Sequence, residues 1–362
     1  MSDTFTIPVG PLHVALEEPM YFRIDVHGET VNNVAINAGH VHRGVEYLVT
    51  KRNVFQNVVL TERICSLCSN SHPQAYSMAI EKIAGIEVPP RAEYLRAIAD
   101  EIKRIASHLF NVGILAHLTG FDSLFMHVME VRERMQDVKE TIFGNRMDIG
   151  ANAIGGVRYD IDAGRIGFLR QQLDAIEPEI VELIGIYETD HSILRRTRGI
   201  GVLTHQSAVD CGVVGPVARA SGVNYDVRVK APYAAYDRLE VPVHTLADGD
   251  VWSRAMIRLR EAVTSIDIIR QCLAALPEGP TVASEERPPI PPGEAIAKCE
   301  APRGELIYYV RMTDSPKPER VKWRVPSFLN WDALGIMLGQ AKVADIAIIV
   351  NSIDPCISCT ER

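Results

Sequence analysis

This chain of 362 residues has no long apolar run. Its least polar extended stretch, residues 105–121, is interrupted by Ser107, His108, Asn111 and His117. A bilayer span needs about 20 predominantly apolar residues, so the stretch reads as a buried helix, and work at a membrane would require other chains as anchors. Nor is there a basic block: the formal charge is −8, which argues against nucleic acid as the main partner. The start, Met1-Ser2-Asp3, lacks the basic residues and apolar core of a secretory leader. Cysteine is scarce, at seven residues. Without a sign of secretion those thiols are expected to stay reduced, which weighs against a disulfide framework. Internal repeats are absent too. What is present is an ordinary globular composition, 47% hydrophobic and 23% charged, in a chain long enough for one large domain or two intimately packed ones.

The few cysteines are not scattered. Cys65-Ser66-Leu67-Cys68 and Cys356-Ile357-Ser358-Cys359 hold four of the seven and stand almost the whole chain apart. Residues three apart share one helix face or one turn, so each pair can present two sulfurs to a common centre. Chain ends are usually mobile and would make poor ligands. Here, however, residues 343–350 just before the second pair are apolar enough to be drawn into a core. The two pairs therefore read as one four-thiolate site closed by folding. Thiolates suit zinc, copper(I), nickel and iron–sulfur chemistry. Structural zinc is the plain alternative, although its cysteine pairs usually lie roughly 15–20 residues apart.

Periodicity predicts a β portion first, with strands at 21–26 and 31–36 joined by a turn at His27-Gly28. Helical patterning then covers 54–83, a segment that includes the first cysteine pair. Pro89-Pro90 breaks it before a long helix at 91–118, followed by helices near 123–142, 166–196 and 251–276. Pro288, Pro289, Pro291 and Pro292 make a stiff connector. Short strands at 305–312 and 320–324 and two closing helices complete the expectation.

The residues around the cysteines narrow the choice of metal. Thr61-Glu62-Arg63-Ile64-Cys65-Ser66-Leu67-Cys68, followed by Ser71-His72, resembles the R-x-C-x-x-C…H motif of nickel–iron hydrogenase large subunits. Asp354-Pro355-Cys356-Ile357-Ser358-Cys359-Thr360-Glu361-Arg362 resembles their terminal D-P-C-x-x-C-x-x-H/R. Between them, Ala301-Pro302-Arg303-Gly304 and Val325-Pro326-Ser327 look like the family's A-P-R-G and V-P-[ST] segments. Three further stretches, 7–13, 39–46 and 152–158, are similar to the energy-converting branch that also resembles the 49-kDa subunit of respiratory complex I. That subunit lacks the four cysteines, so their presence favours hydrogen chemistry over a quinone-site or purely structural role. Most relatives encode a C-terminal tail that is cleaved after nickel insertion. The stop at Arg362 therefore fits either a mature form or the CO-oxidation-linked hydrogenases, which resemble this chain and lack the tail; the start at Met1 favours the second.

This resemblance implies a mainly α helical bundle with a small β portion, treated as a single domain over 1–362. Its parts would be an N-terminal β portion (1–50), a helical core (51–285) and a C-terminal β/α segment (286–362) returning to the metal site. It implies a nickel–iron centre whose iron carries cyanide and carbon monoxide. Cys65 and Cys356 would be terminal nickel ligands, and Cys68 and Cys359 would bridge to iron. Cys356 would take the proton when hydrogen is cleaved. Arg303 would hang over the metals with Pro302 beside it, Ser327 would donate to a cyanide, and Asp354 would fix the guanidinium. Where many relatives have an aspartate near that arginine, spacing lands on Ser107, next to His108. Glu18 matches the family's proton-gate glutamate by ungapped spacing to Glu46, although Pro19-Met20 departs from the usual Gly-His. Glu46 would hold a magnesium ion or pair with Arg362. His13, His42 and His72 are candidates to support the ligands.

The remaining cysteines, Cys211, Cys272 and Cys299, have no spacing suited to an iron–sulfur cluster. Electrons would therefore leave through other chains. The resemblance implies a small subunit with a [4Fe-4S] cluster, ferredoxin-like iron–sulfur subunits and integral membrane ion-translocating subunits. CO dehydrogenase would connect through a ferredoxin-like carrier. The chain would sit in the cytoplasm, peripheral on the inner face of the membrane.

Overall fold

Alternation along residues 21–27 puts Phe22, Ile24 and Val26 on one face and leaves Arg23 and His27 exposed, the signature of a half-buried strand. The computed structural model describes residues 4–13, 16–284 and 286–362. In it β1 (Thr4–Val9), β2 (Tyr21–His27) and β3 (Thr30–Asn37) form an antiparallel sheet in sequence order. The strand β1 was not expected.

A short helix α1 (Val45–Val49) leads to α2 (Val54–Glu62), which opens on a reciprocal cap between Asn53 and Gln56. Next comes α3 (Ser71–Ala84), ended by Gly85 in the left-handed conformation that glycine adopts without a Cβ clash. The expected continuous helix over 54–83 is therefore broken, and the first cysteine pair lies in the non-helical turn at 63–70.

The centre of the molecule is α4 (Pro90–Leu118), buried along most of its length, with proline in its first turn where the missing N–H costs nothing. It packs against α5 (Asp122–Phe143) and, further along the chain, against the helix at Val251–Ala275. The two-residue strands β4 (Asn152–Ala153) and β5 (Gly156–Val157) make a small hairpin. After it, α6 (Ala163–Thr189) stops at Asp190, whose side chain accepts from Ile193 N–H and starts α7 (His191–Thr197). One expected helix at 166–196 is thus two. Unforeseen short helices α8 (His205–Asp210), α9 (Gly215–Ala220) and α10 (Val227–Lys230) precede α11 (Val251–Ala275), which Asp250 caps through Ser253 N–H.

Beyond the proline connector, β6 (Gly293–Ala301), β7 (Gly304–Met312) and β8 (Pro318–Arg324) form a second antiparallel sheet. The strand β6 was not expected, because its Ala, Lys and Glu residues are poor strand formers. Four helices follow where two were expected: α12 (Pro326–Asn330), α13 (Leu334–Leu338), α14 (Ile346–Ser352) and α15 (Ile357–Glu361). Before α14, the chain pairs with the edge of the first sheet: Val31 N–H donates to Ala341 O at 2.9 Å and Gln340 N–H to Val31 O at 3.1 Å. With Ile346, Ile348, Ile349 and Val350 buried in α14, the C-terminal strap is carried into the core.

Candidate metal centre

The first cysteine pair owes its turn to two long cations. Arg43 donates to Arg63 O (3.1 Å) and Ile64 O (2.6 Å), and Lys103 donates to Ser66 O (2.7 Å) and Met147 O (2.8 Å). Carbonyls that would accept helical amides are thereby bound from outside, and the backbone opens between α2 and α3. The second pair begins at the N-cap of α15, where Cys356 N–H donates to Ser327 Oγ at 2.9 Å. Arg43 also reaches Ser358 O at 3.4 Å, so one guanidinium touches both cysteine segments.

Folding brings the four sulfurs together. Cys356 Sγ lies 3.1 Å from Cys65 Sγ and 2.9 Å from Cys359 Sγ, and Cys68 Sγ lies 3.3 Å from Cys359 Sγ. All four lie within 4.8 Å of one another, and all are buried. Bonds from Cys356, Cys359 and Cys65 hold the Cys68 thiol well below the usual range, while burial pushes that of Cys359 up. Four soft donors this close fit a thiophilic metal that displaces their protons on binding. Cys272 and Cys299 are buried elsewhere, and Cys211 is partly exposed.

Above the sulfurs stands Arg303 at the tip of the β6–β7 hairpin, where Ala301 pairs with Gly304 across the turn Pro302-Arg303. Gly304 has φ +127°, and a Cβ there would meet Gly215 N at 2.7 Å, so only glycine lets the hairpin tip sit this deep. Arg303 is buried and donates to Asp354 Oδ1 (2.7 Å), Asp354 O (2.8 Å) and Ser107 Oγ (3.2 Å). Burial opposes its charge, but Asp354 and the nearby cysteines outweigh it and keep the guanidinium protonated. Asp354 itself has φ 55°, unusual for a residue with a side chain. Arg303 holds it by both carboxylate and carbonyl. Ser327 and Arg303 line a small cavity with Cys68, Cys356 and Cys359; Pro302 is buried in the turn but does not line it.

The histidines divide. His72 bridges Tyr308 OH (2.7 Å) and Cys359 Sγ (3.2 Å), directly behind the centre. His42 instead contacts Glu361 O at 2.6 Å, and His13 lines a surface hollow beside Glu17 and Glu18. His108 is bonded to Glu261 at 3.0 Å and is pushed down to about 4 by burial, so it is neutral at pH 7.

On the opposite side, Glu18 accepts from Ser358 N–H at 2.5 Å and from Ser358 Oγ. Burial raises its carboxyl, tempered by the Ser358 N–H. Glu17, which keeps solvent access, is pushed up to about 7 by the protein packed around it and by Asp354. Both acids line a cavity of about 300 Å³ with Cys65, Cys356 and Arg132. A separate cavity of about 560 Å³, lined in part by Phe55, Glu62, Arg158 and Val282, contains none of the four cysteines. Glu46 accepts from Arg362 Nε (2.8 Å) and Lys322 Nζ (3.0 Å), so both of its oxygens are bound by cations. Sequence reasoning missed Arg43, although it stood within a quoted motif, and missed Lys103 altogether.

Two family profiles match this chain. Residues 119–289 and 283–362 match the respiratory-chain NADH dehydrogenase 49-kDa subunit, and residues 43–163 match nickel-dependent hydrogenase. Over 360 residues the chain is 66% identical to the carbon monoxide-induced hydrogenase of Rhodospirillum rubrum, covering 99% of each. It is 37% identical to the membrane-bound hydrogenase subunit alpha of Pyrococcus furiosus, across 98% of this chain and 87% of that one. It is 36% identical to an NADH-quinone oxidoreductase component of Dehalococcoides mccartyi, across 100% of this chain and 99% of the relative. Among solved structures, a chain of the membrane-bound sulfane sulfur reductase, an archaeal respiratory membrane complex, superposes with a TM-score of 0.94 at 32% identity, covering 99% of each chain.

Proposed function

We propose a function from one premise: this chain belongs to the family of nickel-dependent hydrogenases and respiratory-chain 49-kDa subunits. It is a catalytic subunit of a nickel–iron hydrogenase, an oxidoreductase that makes hydrogen from protons and oxidises it in reverse. The observation that carries this reading over a metal-free quinone site is the convergence of four buried sulfurs within 4.8 Å.

Cys65, Cys68, Cys356 and Cys359 would hold the metals. When bound, the nickel–iron centre, with cyanide and carbon monoxide on its iron, supplies the two-electron chemistry of hydrogen. The chain supplies position, charge and protons. Arg303, fixed by Asp354 and Ser107, aims a guanidinium at the sulfurs and suits an anionic iron ligand. Because Ser327 Oγ already accepts from Cys356 N–H, its own proton is available to a second such ligand. Cys356 would receive the proton released from hydrogen, and Glu18, bonded to Ser358 one turn away, would carry it toward the cavity in front of Glu17. A raised carboxyl pKa suits a group that must both take and give a proton near neutral pH.

Electrons must cross to another chain, because Cys211, Cys272 and Cys299 are not gathered into a cluster site. A small subunit carrying a [4Fe-4S] cluster, with ferredoxin-like subunits and ion-translocating membrane subunits beyond it, would complete the path. Among the described residues no helix is long and apolar enough to cross a membrane, which supports attachment through such partners. The test is elemental analysis of the purified complex together with infrared spectra in the cyanide and carbonyl region. Nickel and iron with matching bands are expected; one zinc, or no metal, would overturn the assignment.

A further inference from the structure

Behind the turn that carries Cys65 and Cys68 lies a polar cluster that the hydrogen chemistry does not use. A cavity of about 10 Å³, enough for roughly one small solvent-sized particle, is lined by Lys103, Lys139, Arg132, Ser107, Ser66 and Met147, among others. Three of these side chains are basic, and no carboxylate lines the space.

The three are not equally compensated. Lys103 has two carbonyl acceptors and faces Cys65, Asp148, Cys68 and Glu62, which favour its charge. Arg132 lies over the Phe110 ring at 4.9 Å and faces Glu17, but its Nε is buried without an acceptor. Lys139, on α5, is 2% exposed, and its ammonium makes no hydrogen bond among the described residues. Burial pushes it down to about 6, and Lys103, Arg132 and Arg146 push the same way. Only Glu133 opposes them, and that exposed acid is already bound to Arg146. A buried ammonium in this setting must lose its proton or gain an anion.

The donors are placed for an anion. Lys139 and Arg132 both line the cavity, and the buried Arg132 Nε has no acceptor. Ser107 Oγ accepts from Arg303 Nη1 at 3.2 Å, which leaves its own proton to donate. The space admits one small particle at most. The adjoining cavity of about 300 Å³ shares Ser66, Leu67, Arg132 and Met147 with it and is also lined by Glu17 and Glu18.

We propose that this cavity is an anion site for a single chloride-sized halide, held by Lys139, Arg132 and Ser107, and that its occupancy is felt at the cysteine centre. The coupling runs through one hydroxyl, since Ser107 touches both the halide position and Arg303. Binding itself is independent of the hydrogenase reading; only its effect on turnover rests on that reading.

The purified complex is moved between chloride and gluconate at equal ionic strength, and its melting temperature and chloride-35 relaxation are followed, with long-wavelength anomalous scattering at chlorine from crystals. Expected are a saturable rise in melting temperature with chloride and an anomalous peak beside Lys139. Lys139→Met should abolish the chloride dependence, Lys139→Arg should keep it, and Arg132→Gln should weaken it on the order of tenfold. If Lys139→Met fails to fold, the wild-type scattering and Arg132→Gln decide. Identical behaviour in chloride and gluconate with no anomalous peak, or an unaltered chloride response in Arg132→Gln, overturns the site. Chloride bound to protein that proves free of nickel would sustain the site while removing the hydrogenase reading.

Discussion

Arg362 Nε lies 2.8 Å from Glu46 Oε1, tying the last residue of the C-terminal strap to α1 near the N-terminal sheet. The same guanidinium sits 5.9 Å from the ring centres of both Trp323 and Phe328 and donates to Thr360 O at 2.9 Å. The strap carries Cys356 and Cys359, so this contact closes the loop that brings the two cysteine pairs together. The Arg362 and Glu46 side chains are 13% and 24% exposed. Solvent screens such a pair, and breaking it should cost about 1 kcal/mol, well short of a fully buried ion pair. Arg362→Ala should therefore release nickel faster on mild heating while shifting the global melting temperature little. Unchanged nickel retention would show that the pair does not secure the strap.

Replacing any one of Cys65, Cys68, Cys356 or Cys359 by Ser should remove hydrogenase activity and reduce nickel content, because a hydroxyl is a harder and far less acidic ligand. Cys211→Ala, Cys272→Ala and Cys299→Ala should leave the centre intact. The two buried ones should cost roughly 1 kcal/mol for the small void left behind. A Cys356→Ser enzyme with full activity and normal nickel would sink the ligand assignment.

Glu18→Gln should keep the nickel–iron centre, seen as unchanged metal content and infrared bands, while slowing hydrogen–deuterium exchange on the order of a hundredfold. An amide can still accept from Ser358 but cannot relay a proton. Unchanged exchange would shift the relay to Glu17, which faces the same cavity.

Asp100 supplies a pH test remote from turnover. Buried on α4, it accepts from Asn70 at 2.5 Å and from Tyr233 at 3.4 Å, and burial pushes its carboxyl up to about 7. Its folded pKa lies above the unfolded value, so its contribution is full below about pH 4 and is lost as pH rises through 7. Asp100→Asn lacks this dependence. The melting temperature of the wild type should fall relative to Asp100→Asn between pH 5 and 7 and then run parallel; parallel behaviour throughout would contradict the buried acid.

Purified alone, even with its metals, the chain should fail to reduce a one-electron dye with hydrogen. Addition of the cluster-bearing partner should restore the reaction. Rapid dye reduction by verified single chains would mean that the electron path does not need that partner.

Much of the candidate site was legible because short motifs carry it. The CxxC pairs, the Ala-Pro-Arg-Gly segment and the Asp-Pro-Cys entry are short contiguous runs, so the family resemblance that assigns them is visible before any folding, although the hairpin that carries Arg303 was not. The long helices α4, α5 and α11 were legible for the same reason, since their periodicity runs within one element. The break at 63–70 was not, because no glycine or proline marks it; Arg43 and Lys103, distant in sequence, take the carbonyls that a continuous helix would use. Asp190 gave only a capping signal, which competed with a helical pattern on both sides. Neither β1 nor β6 could be read from propensity, because their partners across the sheet stabilise them. By itself, then, the sequence determined which side chains can bind metal and roughly which elements carry them. Tertiary structure alone decided that Glu18 meets Ser358, that Arg43 and Lys103 hold the first cysteine turn, and that Lys103, Lys139 and Arg132 share one cavity. Such meetings depend on the packing of elements far apart along the chain, and a pattern along the chain records only what lies within one element.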